Sequence, residues 1–243
     1  MLERLPSLHS NRGAKRAREA RAALGLDLGA PLSCLLDVVE DVVGLPVVIA
    51  TLLDGLAGAC VPLGPTRLLF VNGTEPRVRQ RFTLAHELGH HWCGHDGGMV
   101  IDTIETVAGK TTTPYENEAN AFAAEFLIPK VALTGRFAGD PTPDDVLTLA
   151  AEYGTSGVMT HFRLRQCGLI TEAASAAFHA ADHGAAWERL GLAGYPDRIA
   201  RIAQLPYLSP RLESTHLGAA VRGDAAADSR LAVALARLLA PSS

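Results

Sequence analysis

A run of five residues, His86-Glu87-Leu88-Gly89-His90, constrains this chain more than any other feature. It lies within Arg81-Phe82-Thr83-Leu84-Ala85-His86-Glu87-Leu88-Gly89-His90-His91. On an α-helix, residues at i and i+4 share one face, a turn apart. Two imidazoles so placed can hold a single Zn²⁺ from the same side. Glu87 projects about 100° round the helix from His86, which argues against a third ligand and leaves it placed to act as a base. Phe82, Leu84, Ala85, Leu88 and Trp92 make the segment apolar, so the helix must be largely buried. Two histidines and a glutamate on a buried helix need partners.

A catalytic zinc takes three protein ligands and keeps one position open. The short extension H-E-x-x-H-x-x-G-x-x-H fails here, because Cys93 stands in the glycine position and Asp96 in the histidine position. The other solution is a glutamate from a second helix. Tyr115-Glu116-Asn117-Glu118-Ala119-Asn120-Ala121-Phe122-Ala123-Ala124-Glu125-Phe126-Leu127-Ile128-Pro129 supplies one, rich in helix formers and stopped by Pro129. Glu116, Asn120 and Ala123 share one face; Glu118, Phe122, Glu125 and Phe126 share another. Glu116 is the favoured ligand, with Asn120 bracing a ligating histidine from behind. Glu118 is the alternative ligand.

These two segments, in this order and at this separation, resemble the ImmA/IrrE family of zinc metallopeptidases. Leu68-Leu69-Phe70-Val71-Asn72 followed by Arg79-Gln80-Arg81-Phe82 resembles that family's strand and helix entry. The resemblance is specific across residues 67–129 and covers about 12–170; residues 171–243 match no pattern. It implies one Zn²⁺ per chain on His86, His90 and Glu116, with Glu87 as the catalytic base. It further implies an intracellular endopeptidase that cleaves or inactivates a helix-turn-helix repressor or similar regulator of mobile elements or stress responses. A metal-containing module that controls a partner by contact, without proteolysis, is the alternative.

The remaining composition narrows the setting. The chain has 243 residues, 48% of them hydrophobic, enough for one core with an appendage. A net charge of −4 gives no basic field for nucleic acid, so direct nucleic-acid binding is not expected. Cys34, Cys60, Cys93 and Cys167 are widely spaced, which fits neither a disulfide framework nor a cysteine zinc site. Cys93 reads best as a small buried hydrophobe, although it stands close to the expected metal. Met1-Leu2-Glu3-Arg4 leads into no apolar signal region. Pro46, Asp54, Gly55, Gly58 and Pro62 interrupt the most apolar stretch, so no membrane span is expected and the cytoplasm is the expected location.

Along the chain, residues 12–25 read as a helix whose face of Arg12, Lys15, Arg16, Arg18 and Arg21 is expected to be solvated. Residues 32–43 repeat apolar positions at helical spacing and stop at Gly44. Val47–Thr51, Ala57–Val61 and Arg67–Asn72 read as strands, the last ending at an Asn72-Gly73 turn. Thr74 is the candidate N-cap of the histidine-bearing helix. Residues 94–114 read as a polar connection able to gate a cleft. Residues 143–170 form a helix–glycine turn–helix, taken as packed helices because Arg163 and Arg165 are too few cations for a DNA-reading helix. Asp228–Leu239 reads as helical. The expected fold is α+β and helix-rich, with a small, mainly antiparallel three-stranded sheet packed on the histidine-bearing helix and a C-terminal helical region. The expected division is a metallopeptidase domain over 1–130, a helical continuation over 131–170 and an accessory region over 171–243.

Overall fold

Alternation of buried side chains to two opposite faces organises the structure around a sheet. Val47, Ile49, Cys60, Leu69 and Val71 enter the main hydrophobic core beneath the helices, whereas Val48, Ala50, Ala59, Leu68 and Phe70 form a second cluster on the other face. A computed structural model describes residues 8–95, 98–111, 113–195 and 207–213. In chain order the elements are α1 (Leu8–Ala23), α2 (Leu35–Asp37) running into a π-helical turn (Val38–Val43), β1 (Val47–Ala50), β2 (Leu56–Leu63), β3 (Thr66–Asn72) and α3 (Arg77–Trp92). There follow β4 (Val100–Thr103), α4 (Ile104–Val107), α5 (Pro114–Leu127), α6 (Lys130–Leu133), α7 (Pro143–Tyr153), α8 (Gly157–Gln166), α9 (Glu172–Ala180), α10 (His183–Arg189), β5 (Tyr207–Leu208) and a 3₁₀ turn (Pro210–Leu212).

The helix-rich α+β expectation holds, but the sheet is larger and mixed. Among the described residues it has five strands in the order β4-β2-β3-β1-β5. β2 pairs antiparallel with β3 and with β4, β1 pairs parallel with β3, and β5 adds antiparallel to β1. The two strands that sequence reading missed are both short. β4 lies inside the 94–114 connection, which is therefore a strand and a helical turn rather than a plain polar loop. β5 has only two residues, too few to show a period. It is fixed by tertiary bonds instead: the Tyr207 hydroxyl donates to Glu40 Oε2, and Arg211 donates to the Glu40 carbonyl. Glu40 Oε1 in turn accepts from the Val47 amide at the start of β1.

Two local readings also change. The histidine-bearing helix starts after Pro76, and Thr74 does not cap it; the Thr74 hydroxyl donates to Asn72 Oδ1 at 2.9 Å. The basic face of α1 is only partly solvated. Arg21 is fully buried and donates to the carbonyls of Asp27, Ala30 and Phe126, while Arg12 pairs with Glu118 and Arg18 with Glu125. In α8, Arg163 is buried and divides its donors between Glu125 and the Ile128 carbonyl at the end of α5. One of the two cations of the helix–turn–helix segment is thus used internally. The Asp228–Leu239 helix lies outside the described residues.

Two glycines decide how closely α5 approaches its neighbours. A Cβ at Gly13 of α1 would stand 2.0 Å from the Glu118 carbonyl oxygen. A Cβ at Gly89 of α3 would stand 3.1 Å from Phe122 Cδ1 and 3.2 Å from the Ala119 carbonyl. With both side chains absent, α5 lies against α1 on one side and against the histidine-bearing turn of α3 on the other.

Candidate metal centre

The close α3–α5 approach brings Glu116 to the two histidines. His86 Nε2 and His90 Nε2 face one another at 3.0 Å. Glu116 Oε2 lies 3.2 Å from the first and 3.4 Å from the second. Asp102 on β4 completes the group, with Oδ2 3.5 Å from both nitrogens. A tetrahedral zinc with ligands at about 2.0–2.1 Å has donor–donor edges of about 3.3–3.4 Å, and these separations bracket that value. His86 and His90 are fully buried and Asp102 is 1% exposed. Asp102 Oδ2 and Glu116 Oε2 have no hydrogen-bond partner.

The partners behind the histidines fix which nitrogens face the centre. Asn120 Nδ2 donates to the Thr106 carbonyl at 3.0 Å, so Asn120 Oδ1 is the atom turned to His86 Nδ1, also at 3.0 Å. His86 Nδ1 is therefore a donor, which leaves Nε2 as the nitrogen that a metal would take. His90 Nδ1 meets His95 Nδ1 at 2.8 Å, and His95 Nε2 donates to Glu118 Oε2 at 3.1 Å. A carboxylate can only accept, so His95 Nδ1 is the acceptor and His90 Nδ1 carries the hydrogen. Arg12 Nε closes this chain 2.7 Å from Glu118 Oε1. Two imidazole Nε2 atoms and two carboxylate oxygens thus converge on one point. Such a set suits a divalent cation.

The electrostatics agree. Burial disfavours the charged form of His86, yet Asp102 and Glu116 outweigh that and push its pKa up to about 9. Burial would raise the Glu116 carboxyl, but its contacts with His86 and His90 pull it far below the usual range. The pocket therefore draws positive charge to the point where these donors meet.

Glu87 lies beside the centre, fully buried, with both carboxylate oxygens lacking a hydrogen-bond partner. Burial, reinforced by the negative charge of Asp102, holds its pKa well above the carboxylate range. Gly58 of β2 makes room for it: a Cβ there would stand 2.4 Å from Glu87 Oε1, 2.7 Å from Thr83 Cγ2 and 2.8 Å from the Phe70 carbonyl.

The structure thus brings His86, His90, Glu116 and Asn120 together as the sequence suggests. Glu118 is turned away from the histidine pair and held by His95 and Arg12. Cys93, His95 and Glu118 are also close enough to form a second ligand group. His95 uses both ring nitrogens in the chain just described, however, and burial pushes the Cys93 thiol up to about 12. Asp102 is the site residue that sequence reasoning missed; His95 stands here as a brace for His90, a role that its place in the sequence does not show. The run Val100-Ile101-Asp102-Thr103 carries β-branched residues around its acid, the one signal that pointed to a strand there. Tyr115 lies against the His95 ring, and His161 stacks on Phe178 and bonds to Ser175 within the α8–α9 layer.

Residues 49–165 match the family model described as the IrrE N-terminal-like domain, Peptidase_M78. Over that span the chain is similar to the peptidase domain of the ImmA/IrrE group. No curated protein matches the chain. The matched span begins in β1 and ends in α8, so it includes every residue of the centre. The Glu118 partner Arg12, and the β5 segment that extends the sheet, lie outside it.

Proposed function

We propose that this protein is a zinc-dependent endopeptidase that cleaves a regulatory protein, with a helix-turn-helix repressor as the expected substrate class. The supporting observation is the convergence of four metal-suited donors beside an unpartnered, buried glutamate, within a domain of a peptidase family. His86, His90 and Glu116 would hold the ion. Zinc, when bound, supplies Lewis acidity toward a scissile carbonyl and makes water a nucleophile near neutral pH. Glu87 would take the proton from the attacking water and pass it to the leaving amine. Asn120 orients His86, and the His95–Glu118–Arg12 chain orients His90.

β4 lies at the edge of the described sheet, pairing only with β2, and it carries Asp102 into the centre. Its far side pairs with no other described strand and would offer an extended polypeptide one to pair with, as an endopeptidase requires. No described helix is long and apolar enough to cross a membrane, which agrees with the proposed cytoplasmic setting. The repressor assignment rests on the family resemblance.

Glu87→Gln tests the mechanism. It should retain zinc and lose cleavage of a helix-turn-helix regulator encoded beside this protein; undiminished cleavage would remove Glu87 from the mechanism. Glu116→Ala should lose zinc and Glu118→Ala should retain it, with the reverse result overturning the ligand assignment. A stable complex with an uncleaved regulator would favour the contact-only alternative, which a centre closed by a fourth protein carboxylate also fits.

A further inference from the structure

Four protein donors are one more than a catalytic zinc accepts, since such sites keep a position open. Resting on the zinc reading above, we propose that Asp102 is a fourth, displaceable protein ligand that occupies the reactive position in this conformation. It must withdraw before substrate can be attacked.

Three features distinguish Asp102 from the other three ligands. The first is its support. His86 and His90 stand on the 16-residue α3, and Glu116 on the 14-residue α5, both packed into the main core. Asp102 stands on a four-residue edge strand whose neighbours Ile101 and Thr103 are exposed. The second is how it is aimed. The β2–β4 register runs from Leu56↔Thr103 to Gly58↔Asp102, leaving Ala57 as an extra residue on β2. Along β4, Asp102 alternates with the exposed Ile101 and Thr103, which puts it on the inner face. Asp102 therefore turns inward, opposite the glycine that makes room for Glu87.

The third is its competitor. Glu87 is a buried carboxylate with no hydrogen-bond partner, next to a second carboxylate aimed at the same centre. A purely structural four-ligand site has no use for such a group, because an unpartnered buried carboxyl is destabilising. In a latent catalytic site it is a base whose substrate position is filled by Asp102. An extended segment pairing along the open side of β4 would act on the strand that carries Asp102. Substrate capture and removal of the fourth ligand would then be one event.

The test uses the full chain loaded with Co²⁺ in place of zinc, with its visible d–d bands as the readout and azide as the probe. Asp102→Asn keeps the side chain's shape and removes its charge; Asp102→Ala is a second comparison should the amide distort the fold. In either variant azide should shift the cobalt bands at low concentration. In the native chain a tethered carboxylate competes at an effective concentration in or above the millimolar range, so azide should bind more weakly by about tenfold or more yet reach a similar final spectrum. Equal azide affinity in native and variant chains would show that Asp102 is not a ligand. A native spectrum that saturating azide leaves unmoved would show a permanently closed site, and would equally overturn the proposal. Failure of any form to bind Co²⁺ would instead refute the metal reading beneath it.

Discussion

Asn120 offers the most direct measure of how the protein tunes its centre. Its side chain bridges two elements, accepting from His86 Nδ1 and donating to the Thr106 carbonyl, both at 3.0 Å. Asn120→Ala removes both bonds. His86 is fully buried, so its Nδ1–H would be left without a partner, a loss of ~1–3 kcal/mol for such a group. Folding stability should fall by that amount, or about 2–4 °C in Tm per kcal/mol for a chain of this size. The metal effect is separate. Without Asn120 nothing holds His86 in the tautomer and orientation that present Nε2, and losing such a partner typically weakens metal binding by about 10–100-fold. That corresponds to ~1.4–2.7 kcal/mol. Competition against a chromophoric zinc chelator at fixed pH measures it, with calorimetric unfolding of the metal-free chain alongside. Asn120→Asp is the control: it still accepts from His86 and should bind zinc as tightly as the native chain or more so. If Asn120→Ala bound zinc within about twofold of the native chain, the bracing argument would be refuted, because a lost orienting bond cannot be worth so little.

Gly58→Ala should abolish the proposed cleavage and destabilise the protein by about 1–3 kcal/mol, because the new methyl meets the Phe70 carbonyl and Thr83 as well as Glu87. Circular-dichroism melting and a cleavage assay would show both effects, and an active, equally stable variant would contradict this packing. Zinc affinity should depend on pH through His86, whose pKa is raised to about 9 in the metal-free protein. The ion must displace that proton, so apparent affinity should fall by up to about tenfold per pH unit below 9. The same shift makes the His86 contribution to metal-free stability complete below its ordinary value of 6.5, with loss as pH rises through about 9. A zinc affinity that stayed flat between these two values would refute this electrostatic reading.

His86, Glu87 and His90 were legible because their chemistry is encoded in local spacing on one helix, and helix geometry alone puts the two imidazoles on one side. Glu116 and Asn120 were legible for the same reason, as a four-residue spacing on a second helix. Strands β1 and β3 showed themselves through β-branched or apolar runs, β3 with its Asn72-Gly73 turn, whereas β2 gave only a weak signal. The Glu118 alternative could not be eliminated from sequence, since facing a metal or facing His95 depends on how α5 is rotated against α3. That rotation is set by Gly13 and Gly89, whose importance lies in contacts with the distant residues Glu118, Ala119 and Phe122.

By itself, then, the sequence determined the chemistry available to this protein: two histidines and a base in one helical turn, an acid and its bracing amide in another, and an apolar pattern able to bury both. Only the tertiary structure decided what else joins them. It carried Asp102 to the centre on an edge strand too short to announce itself, set it in register with Gly58, and tied His90 through His95 and Glu118 to Arg12. The physical reason is one of range. Helical periodicity fixes neighbours three or four residues apart, whereas Asp102 and Arg12 owe their places to strand register and helix packing, which no local spacing records.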